Sequence, residues 1–215
     1  DLHSFPTRRS SDLNLYADSV SAQQEKINQN PHFVYLAYFA PGVIKVGISQ
    51  EERGIRRLLE QGARLALKLE TFASALIARQ YEAKIARLEG IMETVAASKK
   101  LGLIKHPLDT AAAEKTLADA LVRIHHQLGL DFPNREFITC EDYFHTDGRD
   151  LSSVIDMTGN STMAGTVVST IGPILITDYD GQLLAYNVKK FIGYQAQTVD
   201  GAIDIEIPST QLALF

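Results

Sequence analysis

No tryptophan occurs among the 215 residues, and there is a single cysteine, Cys140. One thiol cannot build an internal disulfide framework, and that usage suits a reducing compartment. No run approaches the roughly 18 consecutive apolar residues that a membrane-spanning helix needs. No membrane association is therefore expected, and the cytoplasm is the expected location. Also missing are a Walker loop, a G-x-G-x-x-G turn and a nucleophile elbow, which removes several common nucleotide-binding and hydrolase signatures. No internal repeat or low-complexity stretch is present. What is there is 45% hydrophobic and 22% charged, an ordinary globular composition. The length suits one large domain or two small ones, with enough chain to bury a core.

The net charge of −5 conceals an asymmetry. Residues 14–100 hold 12 Lys/Arg against 9 Asp/Glu, whereas residues 101–215 hold 7 against 15. An anionic partner is expected to meet the first half, and the acidic second half suits a protein partner or an intramolecular mask over the basic module. The basic excess is too small for a long non-specific nucleic-acid groove.

The extreme N-terminus reads differently from the rest. His3 to Leu13, HSFPTRRSSDL, resembles the translation of a widely used short-read sequencing adapter. Residues 1–13 are therefore expected to be an artefact and to contribute nothing to the fold, with the natural N-terminus absent. Residues 14–31 are polar and aperiodic, as in a tether or the remnant of a truncated element.

The organised chain is expected from residue 32. Strands are expected at 33–39 and 43–48, rich in β-branched and aromatic residues around the Pro41-Gly42 turn. Ser49 is positioned to cap a helix over 51–61, with Ile55, Leu58 and Leu59 as its buried stripe and Gly62 as its stop. A third strand at 64–72 and a helix at 74–88 follow, then a short helix and loop over 91–105. The helix at 110–128 is the strongest pattern in the chain, closed by Gly129. From Phe137 onward short alternating strands are expected at 136–140, 153–157, 165–170, 173–178, 182–188 and 194–199, with Asp180-Gly181 as a hairpin turn. The implied organisation is an α+β fold: an α/β module over 32–130 and a small antiparallel, mostly β region over 131–215.

Several residues carry possible chemistry. Tyr35 and Tyr38 have an odd separation in one strand, so they point to opposite faces, and one should be exposed or face a functional surface. Gly47 admits close approach of a ligand or another backbone. Arg53, Arg56 and Arg57 crowd one stretch of chain, and their mutual repulsion is relieved by a shared anion or carboxylate. Glu60 would supply the carboxylate, and a phosphate the anion. Glu82 stands at the edge of an apolar stripe, where a carboxylate holds a hard cation, serves in acid–base work or simply faces water. Glu89 competes for that role. Cys140 and His145 have no second Cys/His pair at matching spacing, so a zinc site there is not favoured.

Taken together, VYLAYF (34–39), KVGIS (45–49) and RRLLEQGA (56–63) resemble a diverged GIY-YIG hairpin and helix. The run VYLAYFAPGVIKVGI with RLLEQGA, and the later GPILITDYDGQLLAYNVKKFIGYQ, resemble more closely the uncharacterised bacterial family called domain of unknown function 2797. That resemblance covers nearly the whole chain from about residue 33. The nuclease resemblance implies a GIY-YIG-like module in which Tyr35 helps to activate water, Arg57 (or Arg56) stabilises phosphate charge, and Glu82 holds one Mg²⁺. Gly47 is the matching glycine of the second motif. It further implies nucleic-acid binding through residues 33–63, with Lys45, Gly47, Arg53 and Arg56 as contacts. Two positions depart from the pattern: Lys45 stands in place of the second-motif tyrosine and Phe33 in place of the first-motif glycine. Family members often carry an upstream cysteine cluster, so a structural zinc is implied only for the absent N-terminal segment. Metal-dependent phosphodiester cleavage is the function implied. A non-catalytic module that binds nucleic acid, nucleotide or protein is the alternative, and a purely structural role for the arginines a third.

Overall fold

The computed structural model describes residues 21–146, 148–199, 201 and 204–208. The adapter-like segment and residues 14–20 of the expected tether lie outside the described residues. Within the remainder of that tether, helix α1 (Ala22–Asn28) forms where Ser21 Oγ accepts the amide of Gln24 at 3.2 Å, and it buries no residue.

The first sheet has the strand order β4-β2-β1-β3-β5. Strands β1 (His32–Ala40), β2 (Val43–Gln50) and β3 (Leu65–Phe72) are antiparallel neighbours. Pro41-Gly42 makes the first turn, with Gly42 at φ +73°, a conformation that favours glycine. Every residue of β1 is buried, because β1 is the central strand and both of its faces are covered. Val34, Leu36 and Tyr38 pack beneath helices α3 (Ala75–Ile85) and α5 (Thr110–Leu128). Phe33, Tyr35, Ala37 and Phe39 face a second core built with Leu58, Leu101 and Ile104. The two-residue period of a strand thus sorts the aromatic-rich β1 between two cores.

The helix expected over 51–61 is broken. Glu51–Arg53 form a single 3₁₀ turn, Gly54 adopts φ +47°, and helix α2 begins only at Arg56 and runs to Gln61. Ser49 caps nothing; its hydroxyl donates to the Gln50 carbonyl. Glu51 is drawn away instead by Lys68 at 2.7 Å and by the Thr71 hydroxyl at 2.8 Å. Gly62 closes α2 in the left-handed conformation as the pattern requires.

Strand β4 (Ile91–Met92) pairs in parallel with Ile44 and Lys45 of β2. Helix α4 (Ala97–Ile104) then returns across the β1 face that carries Tyr35. In α5 the Asp109 carboxylate accepts from the Ala112 amide at 3.0 Å, Gly129 ends the helix at φ +65°, and Ala113, Leu117, Ala120 and Ile124 form its buried stripe. Strand β5 (Glu136–Thr139), expected among the C-terminal strands, pairs with β3 of the first sheet. Arg64 secures that junction: its guanidinium grips the Glu141 carboxylate and the His106 carbonyl, while its own carbonyl accepts from Cys140 and Glu141.

The second sheet has the order β6-β9-β8-β7, with β6 (Ile155–Asp156), β7 (Thr166–Ile171), β8 (Ile174–Tyr179) and β9 (Gln182–Asn187). It is mixed rather than wholly antiparallel, since β6 runs parallel to β9. Asp180-Gly181 makes the β8–β9 turn with both residues at positive φ, the geometry of a type I′ hairpin. The stretch 194–199 forms no strand; Tyr194 and Val199 are exposed, and no strand among the described residues pairs with it. Alternation alone does not make a strand without a partner to receive its hydrogen bonds.

Both sheets share one core. Ile171, Ile174, Ile176 and Ala185 of the second sheet join the cluster that holds Phe33, Tyr35 and Phe39 of the first. The contact is closest at two glycines: a Cβ on Gly172 would lie 2.6 Å from the Gly62 nitrogen. The turn between β7 and β8 therefore rests directly on the C-terminus of α2.

Candidate functional site

The hairpin, α2 and α3 deliver their polar side chains to one region of the first sheet. Tyr35 and Gly47 are cross-strand partners in the β1–β2 register, as are Ala37 and Lys45. These residues lie on one face, two apart along each strand. Gly47 has a steric reason to be glycine, for a Cβ there would sit 2.5 Å from the Tyr35 hydroxyl. Tyr35 can lie across β2 only because that position has no side chain.

The resulting hydroxyl is unusual. Tyr35 is 1% exposed, and its Oη is a buried side-chain polar atom without a hydrogen-bond partner. Leaving such a group unsatisfied costs about 1–3 kcal/mol. The Arg57 guanidinium approaches it without meeting the geometry of a full hydrogen bond. Burial pushes the phenol up to about 12, with Arg57 opposing the shift and Glu82 adding to it. At neutral pH Tyr35 is thus a phenol, a donor and acceptor of hydrogen bonds rather than a base. Tyr38 is also buried, in the opposite core; neither tyrosine is exposed.

Lys45 is 5% exposed, and its ammonium donates to Gln61 Oε1 at 3.0 Å. Burial holds it down to about 8, repulsion by Arg57 adds to this, and Glu82 and Glu93 oppose it. Glu82 is half-buried on α3. Burial raises its carboxyl to about 7, against Lys45, Arg79 and Arg57 and with help from Glu93. A carboxyl near 7 beside an ammonium near 8 is a pair able to exchange protons at neutral pH.

Tyr35, Lys45, Arg57 and Glu82 therefore lie within reach of one another's charge, with Gly47 beneath. The other two arginines stand apart in different degrees. Arg53 acts on Tyr35, but its guanidinium is held by Glu60 at 2.5 Å, and Glu60 lies 3.7 Å from Arg57. Arg56 is exposed and enters no hydrogen bond or ion pair among the described residues. Glu89 is exposed, and its carbonyl accepts from Arg123.

Sequence reasoning missed four participants: Glu93, Gln61, Lys100 and Arg79. Glu93 is placed by β4, whose two residues are too few to read as a strand. Gln61 sits in the LLEQGA stretch and reads as an ordinary helix end. Lys100 is brought in by the packing of α4, and no local pattern marks it. Cys140, by contrast, is buried beside the Ile138 carbonyl, with its thiol pushed up to about 12 by burial. Among the described residues no group of three or more His, Cys, Asp or Glu could hold a metal ion, and no helix is long and apolar enough to cross a membrane.

Fold and site together define an α+β protein in which a buried Tyr–Lys–Arg–Glu cluster is built on a β-hairpin and two flanking helices. The chain belongs to the family described as "Protein of unknown function (DUF2797)", which it matches over residues 13–196. No curated protein and no solved structure matches it.

Proposed function

We propose that the cluster is a phosphate-directed site of GIY-YIG type that cleaves nucleic-acid phosphodiesters. The observation that carries this reading is the unpartnered Tyr35 hydroxyl, buried beside Arg57 and Glu82. A reacting water or a phosphate oxygen would satisfy it. Arg57 has the charge and the partial exposure to meet phosphate. Glu82 is the residue that would hold a single Mg²⁺, with Glu93 the next carboxylate whose charge reaches it. Such an ion is commonly held by one or two carboxylates together with substrate phosphate, and would supply electrostatic stabilisation of developing phosphate charge. In this reading Arg57 binds and orients the phosphate, Tyr35 positions the attacking water, and Lys45 offers a further cation to the phosphate.

A second reading is favoured by two observations. Lys45 occupies the position where the motif has a tyrosine, and Tyr35 is closed to solvent. On that reading the same residues recognise a phosphate without cleaving it.

The test is incubation of the full chain with labelled single- and double-stranded DNA and RNA, with and without Mg²⁺ or Mn²⁺. Metal-dependent cleavage that drops about 100-fold or more in both Arg57→Ala and Glu82→Ala is the expected result. Binding without cleavage, weakened by Arg57→Ala and untouched by Glu82→Ala, would replace the enzyme with the recognition module.

A further inference from the structure

One buried cation beside the site above has no role in the phosphodiester reading. Lys100 of α4 is 8% exposed, its ammonium donates to the backbone carbonyl of Gln61 at 2.5 Å, and it lies 5.3 Å over the Phe39 ring. Lys45 donates to the side-chain carbonyl of the same glutamine. Two buried ammonium groups therefore meet at one residue. Each carries three N–H donors, and Gln61 is the hydrogen-bond acceptor the structure gives to either. Neither lysine enters an ion pair with a carboxylate among the described residues.

That arrangement is costly if nothing else binds there. A buried charge is normally paired, and the opposite solution stands in the same molecule, where Arg64 is gripped by Glu141. The surroundings of Lys100 add cations instead of removing them. Burial holds its ammonium down to about 7, and Lys189, Lys45 and Arg57 add to the shift. Lys189 is exposed and comes from the short helical turn that follows β9 of the second sheet. The second sheet is held against this place by the Gly62–Gly172 contact at the end of α2.

We propose that Lys100, Lys45 and Lys189 form a phosphate-binding subsite at the end of α2, adjoining Arg57 and completed by the second sheet. It rests on the phosphate-directed reading of the Tyr35–Arg57–Glu82 site and extends that reading to a second phosphate. An oxyanion is the ligand chemistry that matches buried N–H donors left without a carboxylate ion pair. The donors would bind either a neighbouring phosphate of a polynucleotide held at Arg57 or a free phosphate group. The acidic half of the chain would contribute through its few cations.

The experiment uses the full chain and its Lys100→Met, Lys189→Ala and Arg57→Ala variants. The probes are inorganic phosphate, read as a thermal shift against chloride at matched ionic strength, and a labelled single-stranded oligonucleotide, read by anisotropy. Phosphate is expected to raise the Tm of the parent and to raise that of Lys100→Met clearly less; an equal rise in the two would overturn the subsite. Oligonucleotide affinity is expected to fall about tenfold in Lys100→Met and less in Lys189→Ala. In phosphate-free buffer at pH 7, Lys100→Met should melt no lower than the parent. A large drop there would make the lysine structural and overturn the subsite. Oligonucleotide binding that depends on Arg57 but ignores Lys100 and Lys189 would overturn the subsite and leave the main site standing. Phosphate binding that needs Lys100, with no oligonucleotide binding by the parent, would support the subsite for a small phosphate ligand and overturn the nucleic-acid reading. No response of the parent to either probe would overturn both.

Discussion

Two regions of this protein bury positive charge, and they do it in opposite ways. At the junction of β3 and β5, the Arg64 guanidinium meets a carboxylate and a carbonyl, so its fork of donors is matched by fixed acceptors. At the end of α2, Lys45 and Lys100 share one glutamine and form no carboxylate ion pair among the described residues. Further cations act on Lys100, while Glu82 and Glu93 reach Lys45 only beyond ion-pair distance. On the proposal above, the difference separates a structural role from a binding role. A buried cation that is fully paired holds chain segments together, while one left short of acceptors keeps donors available for a ligand.

The sharpest way to break this comparison is to remove the paired cation. Arg64→Met leaves Glu141 and the His106 carbonyl without their partner. It should destabilise the fold by about 3 kcal/mol, the range for breaking a buried ion pair, read by urea denaturation. A loss below about 1 kcal/mol would mean that Arg64 is not the staple its contacts describe.

The unpaired region should respond to pH in a characteristic direction. In the unfolded chain Lys45 and Lys100 titrate at 10.5, and in the folded chain at about 8 and about 7. Between those values the unfolded state binds more protons, so stability rises as pH increases from about 7. Glu82 works in the other sense. Its folded value of about 7 lies above the unfolded 4.5, so its contribution falls as pH rises from 4.5 to about 7. Subtracting the stability of Lys100→Met from that of the parent isolates one lysine. The difference should shift in favour of the parent by about 1–2 kcal/mol between pH 7 and 9. A flat difference would show that Lys100 is not held in an ionically poor place.

The smallest effect belongs to the exposed arginine. Arg53 and Glu60 are both about half exposed at their side chains, and surface pairs of this kind contribute about 0.2–1 kcal/mol. Arg53→Ala should therefore leave the Tm nearly unchanged. A large loss would place Arg53 in the same class as Arg64.

Much of the fold was legible because local chemistry marks it. The Pro41-Gly42 and Asp180-Gly181 turns, the α5 stripe with its Asp109 and Gly129 ends, and the glycine stop of α2 all follow from backbone preference and period. The failures also have local causes. Gly54 interrupts a pattern that reads as one continuous helix, and a residue that tolerates φ +47° overrides the apolar spacing around it. Strand β5 has the period of a strand but no mark of which sheet receives it. The stretch 194–199 has alternation and no neighbour.

Sequence by itself determined most of the elements, the Pro41-Gly42 and Asp180-Gly181 turns and the roster of polar residues on the first hairpin and α2. It also determined that Tyr35 and Tyr38 face opposite ways, because a strand alternates its side chains whatever surrounds it. Tertiary structure alone decided which of those residues are buried, and with what company. Burial and proximity move the titration of Glu82, Lys45 and Lys100 toward neutrality, and both depend on elements far apart in the chain. Glu93 comes to Lys45 through a two-residue strand, Lys100 to Gln61 through a helix, and Lys189 through a second sheet seated on Gly62. Charge interactions fall with distance in space and with solvent screening, and separation along the chain measures neither.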